Sequence, residues 1–188
     1  MKNSIREMLS GGDRRSIGRS DELVAKVRKD PVLFREVIQA MGDPDPTVKM
    51  RAADAAEKIT AGSPDLLRPW KKFLLGKIAQ IPQQEVRWHA AQMLPRLHLS
   101  PKEKASTVDI LAVYLKDESR IVKTFALQAL ADLAAEDAAL RVRVTRLAEV
   151  FIRSGSPAMR SRSRKILASL GKKSGIPTNR KLRAPFLP

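Results

Sequence analysis

The chain has 188 residues, with 36 Lys and Arg against 20 Asp and Glu, and a formal net charge of +16 that only two His can modulate. At 43% hydrophobic and 30% charged residues it can bury a core, which excludes wholesale disorder. The absence of Cys excludes disulfides, thiol nucleophiles and Cys-ligated zinc, and 4% aromatics beside abundant Ala and Leu favours helices over a β-sandwich or barrel.

The first residues, MKNSIREMLSGGDRRSIGRS, lack an apolar signal core and carry Glu7 and Asp13, so neither a secretory nor a transit peptide is expected. No run approaches the roughly 20 apolar residues that cross a bilayer, so no membrane span is expected and the expected location is cytoplasmic. Segment 1–15 reads as a flexible N-terminal stretch.

From there proline marks the helix starts, because it fits the first helical position and disrupts later ones. Asp30-Pro31, Asp45-Pro46, Ser63-Pro64, Ser100-Pro101 and Ser156-Pro157 each place a side-chain acceptor at the N-cap. Glu103, three residues after Ser100, completes a capping box. Gly42, Gly62 and Gly171 sit where helices should stop. The predicted helices are 21–29, 31–41, 46–61, 64–80, 82–98, 101–116, 119–134, 137–153 and 157–170. After Gly171, residues 172–188 carry Gly, Pro and basic residues without helical periodicity and read as an extended basic arm.

Four of these segments align without gaps: VKMRAADAAEKI (48–59), VRWHAAQMLPRL (86–97), VKTFALQALADL (122–133) and MRSRSRKILASL (159–170), with starts 38, 36 and 37 residues apart. Each opens on an apolar residue followed by a basic one (Lys49, Arg87, Lys123, Arg160). Positions one, five, eight, nine and twelve are apolar or small and share one helical face. An acidic turn, Asp43-Pro44-Asp45-Pro46, precedes the first copy, and Asp117 recurs before the third; Ile81 and Ser154 stand in the equivalent places before the second and fourth. This pattern of acidic turn, Val-basic pair and Ala-rich inner helix resembles HEAT repeats over about residues 30–170. The resemblance implies an all-α, α-α superhelix of about four to five helical hairpins with a period of about 37 residues, forming one domain over 16–171. Pro69 matches the kink often seen in the outer helix of that family. The basic column is expected to bridge neighbouring turns.

Position six reads Ala53, Ala91, Leu127 and then Arg164. A buried Arg there would lack a partner, so the fourth copy is predicted to be the terminal cap.

Positions three and seven project away from the core face, about 100° per residue around the helix, into the inner groove that such repeats imply. Position seven forms a polar column of Asp54, Gln92, Gln128 and Lys165. Trp88 stands at position three, while Arg51, His89, Phe125 and Arg162 occupy a shoulder at position four. Trp88 followed by Gln92 is similar to the Trp and Asn pairs with which armadillo repeats hold extended peptides, and amides offer both donor and acceptor to a peptide backbone. The expected groove therefore uses Arg51, Asp54, Trp88, His89, Gln92, Gln128 and Lys165, running from an acidic end at Asp54 and Glu57 to a basic end at Arg162 and Lys165.

Catalytic signatures are sparse. His89 and His98 are nine apart, not at metal-binding i, i+4 spacing, so no metal or cofactor is expected. Tyr114 reads as core. HEAT-like alkylpurine DNA glycosylases use aromatic residues and an Asp, roles that the resemblance would hand to Trp88 and Asp54, although these lie in different copies. The leading expectation is a non-catalytic adaptor whose groove holds a protein or peptide of acidic character. The alternative is nucleic-acid binding through Arg160, Arg162, Arg164, Lys172, Lys173, Arg180, Lys181 and Arg183. Residues 154–188 hold nine basic and no acidic side chains, so more than half of the +16 belongs to the cap and arm.

Overall fold

The computed structural model describes residues 5–11, 16 and 18–174, with only the backbone of 172–174. Arg180, Lys181, Arg183 and the side chains of Lys172 and Lys173 lie outside this description. Among the described residues the chain is all-helical, with no strand and ten α-helices joined by 3-10 and π turns. No helix among them is long and apolar enough to cross a membrane. Two compact units divide the chain, Met1–Leu130 and Ala131–Pro188.

In the first unit, α1 (Ile5–Leu9) is short and buries Ile5, Met8 and Leu9. Residues 5–9 thus form a packed helix inside the stretch 1–15 that sequence marks as flexible. The apolar triplet Ile5, Met8, Leu9 at i, i+3, i+4 spacing is the reason. Next come α2 (Ser20–Lys29), a 3-10 turn at Pro31–Leu33 and α3 (Phe34–Ala40). The Asp30 carboxylate accepts from Val32 N. The long helix α4 (Pro46–Gly62) starts where Asp45 accepts from Thr47 N at 2.7 Å and Val48 N at 3.4 Å. It packs against α1, α2, α3 and α6, so it is the central element of this unit.

The predicted helix 64–80 is broken. Pro64–Trp70 winds as a 3-10 segment, α5 (Lys71–Phe73) is one turn, and Leu74–Ile78 widens into a π turn. Pro69 inside the segment lacks an N–H, and its ring crowds the carbonyl four residues back, which disfavours the α ladder. Ser63 makes no side-chain cap. The tighter winding gives Leu66 N to the Ser63 carbonyl instead, at 3.2 Å.

Then α6 (Gln84–Met93) passes into a 3-10 turn at Leu94–Arg96, where Pro95 ends the regular ladder. The predicted capping box closes at α7 (Pro101–Tyr114). Glu103 N donates to Ser100 Oγ at 3.4 Å, and Ser100 N donates to Glu103 Oε2 at 2.8 Å. The helix α8 runs Arg120–Leu133. The second unit contains α9 (Ala138–Ser154), capped by Asp137 through Leu140 N at 2.9 Å, and α10 (Pro157–Ser174), which packs on α9. Met159 N donates to Ser156 Oγ at 3.3 Å, making the Ser156 cap. The helix continues past Gly171, and Lys172 and Lys173 are helical rather than the start of an arm. A mid-helix Gly costs only about 1 kcal/mol, a loss that the packing of α10 on α9 can offset.

The core face follows the aligned columns. At position one Val48, Val86, Val122 and Met159 are buried; at position five Ala52, Ala90, Ala126 and Ser163 are buried. At position six Ala53, Ala91 and Leu127 are completely buried, whereas Arg164 is exposed.

Candidate functional site

Helices α4 and α6 pack side by side, and the position-seven residues Asp54 and Gln92 stand on them with Trp88 and His89. Asp54 is 16% exposed and is engaged on several sides. It accepts from Ser20 Oγ at 2.6 Å and from Lys58 Nζ at 2.9 Å, and lies 4.0 Å from His89 Nε2. Lys58 also reaches Asp21 at 2.8 Å. Burial works against the Lys58 charge, but bonds to Asp21 and Asp54 outweigh it and hold its pKa above the ordinary lysine value. Glu57 is paired with Arg96, whose guanidinium also donates to the Glu57 carbonyl at 2.9 Å and to Thr60 Oγ1 at 3.1 Å. Each carboxylate of the expected acidic end therefore has a cation of its own, so that end is internally neutralised. A cleft of about 410 Å³ opens beside this network, with Asp21, Arg28, Glu57 and Lys58 on its walls.

His89 is mostly covered. Burial lowers its pKa, partly opposed by the charges of Asp54 and Glu57, so the ring is neutral at neutral pH. Its Nδ1 is buried without a hydrogen-bond partner. The ring sits 5.5 Å from that of Trp88 at a 56° tilt. Trp88 is half-buried, and Gln92 donates from its side-chain amide to the Trp88 carbonyl at 3.3 Å. That bond uses one amide hydrogen and leaves the Gln92 carbonyl oxygen without a protein partner among the described residues. Gln128 is half-buried on α8. Lys165 belongs to the second unit and is exposed on α10.

Arg51 lies elsewhere than the groove shoulder expected from its column. It is 1% exposed. Its guanidinium donates to the carbonyls of Leu9 at 3.0 Å, Gly11 at 2.6 Å and Ser16 at 3.1 Å. Gly18 takes φ +58°, and a Cβ there would stand 2.8 Å from the Arg51 guanidinium carbon. Arg51 is thus an internal clamp on the backbone that follows α1, and partners 35 to 42 residues away in sequence are why helical periodicity could not place it.

The basic column is half-buried in all four copies. Arg87 shows what such a residue does. It donates to the Ile81 carbonyl at 3.0 Å and to Asp117 Oδ2 at 2.6 Å, and stacks 5.4 Å from the centre of the Tyr114 ring. Tyr114 is buried, and its hydroxyl donates to the Ala79 carbonyl at 2.9 Å. Asp43, the counterpart of Asp117, receives Arg6 of α1 at 2.8 Å. Arg6 follows Ile5 as Arg87 follows Val86, a Val-basic-like signal for α1 that sequence alignment left unused. In the second unit Arg160 donates to the Gly155 carbonyl at 3.2 Å, Arg162 is half-buried, and Arg164 is exposed.

No group of three or more His, Asp or Glu side chains among the described residues is placed to hold a metal ion. No protein-family model, curated protein or solved structure matches the chain.

Proposed function

We propose that the chain is a non-catalytic binding protein, a HEAT-like helical solenoid of about four to five hairpins whose Trp88 face holds a protein or peptide segment. The repeat reading rests on the aligned columns: the residues at positions one and five are buried in all four copies. The observation that carries the function is Trp88 itself. On α6 the apolar Val86, Ala90, Ala91 and Met93 are buried, while the large indole stays half exposed beside an amide with an unused acceptor. An aromatic body with a polar handle, next to a donor-acceptor amide, suits a peptide backbone and an apolar side chain together.

The neutralised carboxylates support this reading over acid-base chemistry. Asp54 is occupied by Ser20 and Lys58, and Glu57 by Arg96, so neither is poised to activate a water. The neutral Asp54–Lys58 and Glu57–Arg96 pairs also suit a partner that is not strongly charged where it meets Trp88. Arg51 takes no part in this face.

Peptides selected by display on the full chain test the reading. Selected sequences should lose at least tenfold in affinity for a Trp88→Ala, Gln92→Ala variant whose helical circular dichroism is unchanged. Equal affinity for both proteins would remove this face as the site.

A further inference from the structure

We propose that the exposed face of α9 is a binding surface for the phosphate backbone of nucleic acid, separate from the Trp88 face. The helix buries Leu140, Val144 and Ala148, a stripe at i, i+4, i+8. On another side Arg143, Arg146, Val150 and Arg153 follow at spacings of three, four and three, which puts them in one row along the helix. All four are exposed. Between Arg143 and Arg153 the helix rises about 15 Å, so the row presents three guanidinium groups along a length over which a duplex carries about nine phosphate charges.

These arginines contrast with their neighbour Arg141, which is half-buried and donates to the Ala134 and Ala135 carbonyls at 3.4 and 2.8 Å. Arg141 has a structural duty. Arg143, Arg146 and Arg153 make no ion pair and no side-chain hydrogen bond among the described residues, and the nearby Glu149 pairs with none of them. Like charges three residues apart on a helix repel by a few tenths of a kcal/mol, so the row does nothing for the fold. Exposed Arg164 and Lys165 on α10 add to the cationic character of the same unit.

An acidic membrane is the rival anionic surface. Helices that lie in a membrane interface present Leu, Phe or Trp to the acyl region. Here the large apolar side chains of α9 that are exposed are Val142 and Val150, at 53% and 45% exposure, while Leu140 is buried and Leu147, Phe151 and Ile152 are half-buried, with Leu147 and Phe151 lying beside the buried stripe rather than in the arginine row. Guanidinium groups match phosphate oxygens bidentately, and contacts confined to phosphates bind without reading sequence. The row therefore predicts sequence-indifferent, salt-sensitive binding.

The experiment titrates the full chain into a fluorescently labelled 20-base-pair DNA duplex of mixed sequence, at several KCl concentrations, by anisotropy. The comparison protein carries Arg143→Gln, Arg146→Gln and Arg153→Gln; a second carries Arg143→Lys, Arg146→Lys and Arg153→Lys. Glutamine should weaken binding at least tenfold and reduce the slope of log K against log salt by about 2 to 3, as expected for three lost phosphate contacts, while lysine should restore most of both. Trp88→Ala should leave duplex binding unchanged, which keeps failure of this surface distinct from failure of the Trp88 face. Equal affinity and slope for the wild-type and glutamine proteins would overturn the proposal, as would failure of the wild-type chain to bind the duplex, or binding only to vesicles containing phosphatidylserine. Loss of affinity on neutralising Lys172, Lys173, Arg180, Lys181 and Arg183 but not the α9 row would overturn it equally.

Discussion

Lys71 Nζ lies 2.8 Å from Glu103 Oε2, so the carboxylate that closes the capping box of α7 is gripped from α5, 32 residues earlier in the chain. Lys71 also donates to the His98 carbonyl at 3.0 Å, which fixes its ammonium over the turn that leads into Ser100. One Glu thus ties together a helix start, the turn before it and α5. The bond from Lys71, followed by the backbone and hydroxyl bonds of Ser100, brings the Glu103 pKa down from 4.5 to about 2.

A depressed carboxylate pKa contributes stability above its unfolded value that disappears as protons bind the folded form. The Glu103 contribution should therefore be complete above about pH 5 and fall away between about pH 4.5 and 2. Glu103→Gln keeps a capping amide but loses the ion pair. Thermal midpoints measured by circular dichroism should be lower for Glu103→Gln than for wild type at pH 7, and the two should converge towards pH 2. A difference that stays constant from pH 7 to pH 2 would show that the ion pair carries none of the effect.

The clamp made by Arg51 predicts a large loss on truncation. Its guanidinium satisfies three backbone carbonyls from a 1% exposed position, and Arg51→Met would leave those carbonyls unpaired in the interior. Urea unfolding should show a loss of about 2–4 kcal/mol. Arg51→Lys should recover little, since one ammonium cannot span the Leu9, Gly11 and Ser16 carbonyls together. Gly18→Ala should destabilise by about 1–2 kcal/mol, combining an unfavourable positive φ with displacement of the Arg51 guanidinium. A loss under about 0.5 kcal/mol for Arg51→Met would remove the clamp from the account.

The core of each helix was legible because the aligned segments repeat a pattern that geometry must respect. A column of small or apolar residues at the same helical phase can only face a neighbour, as Val48, Val86 and Val122 do. The capping box of Ser100 and Glu103 was legible for the same reason, since all its atoms lie within four residues. The polar site was only half legible. Trp88 and Gln92 are half-buried on α6, but Arg51 and the acidic end did not behave as their columns suggested. Lys58 lies four residues after Asp54, a spacing at which one helix can pair them, whereas Arg96 lies 39 residues after Glu57. Long-range partners are set by how helices dock, and no periodicity within one helix encodes them.

Position six offers a direct contrast between the third and fourth aligned segments. Leu127 is completely buried and Arg164 is exposed, although the two occupy equivalent places in their copies. Leu127→Arg should destabilise the protein by more than about 4 kcal/mol or prevent folding, because the guanidinium would be buried without a partner. Arg164→Leu should change unfolding free energy by less than about 1 kcal/mol and instead lower solubility through added exposed apolar surface. Similar destabilisation by both substitutions would contradict the proposed reading of α10 as the capping helix of the repeats.

His89 connects the Trp88 face to pH. Its ring is held by burial in the neutral form, against the opposing pull of Asp54, Glu57 and Glu85 and with the help of Lys58. Because the folded-state pKa lies below the ordinary value of 6.5, the unfolded chain binds this proton more readily. Stability should therefore decline as pH falls from about 6.5 towards the lower folded value. Asp54→Asn removes the largest stabiliser of the imidazolium and should move the His89 midpoint further down. Imidazole proton shifts followed by NMR from pH 8 to pH 4, with His98→Gln to assign the two histidines, measure both midpoints. A wild-type His89 midpoint at or above 6.5, or an upward move in Asp54→Asn, would mean that solvent reaches the ring and that the burial between α4 and α6 is looser than its 13% side-chain exposure implies.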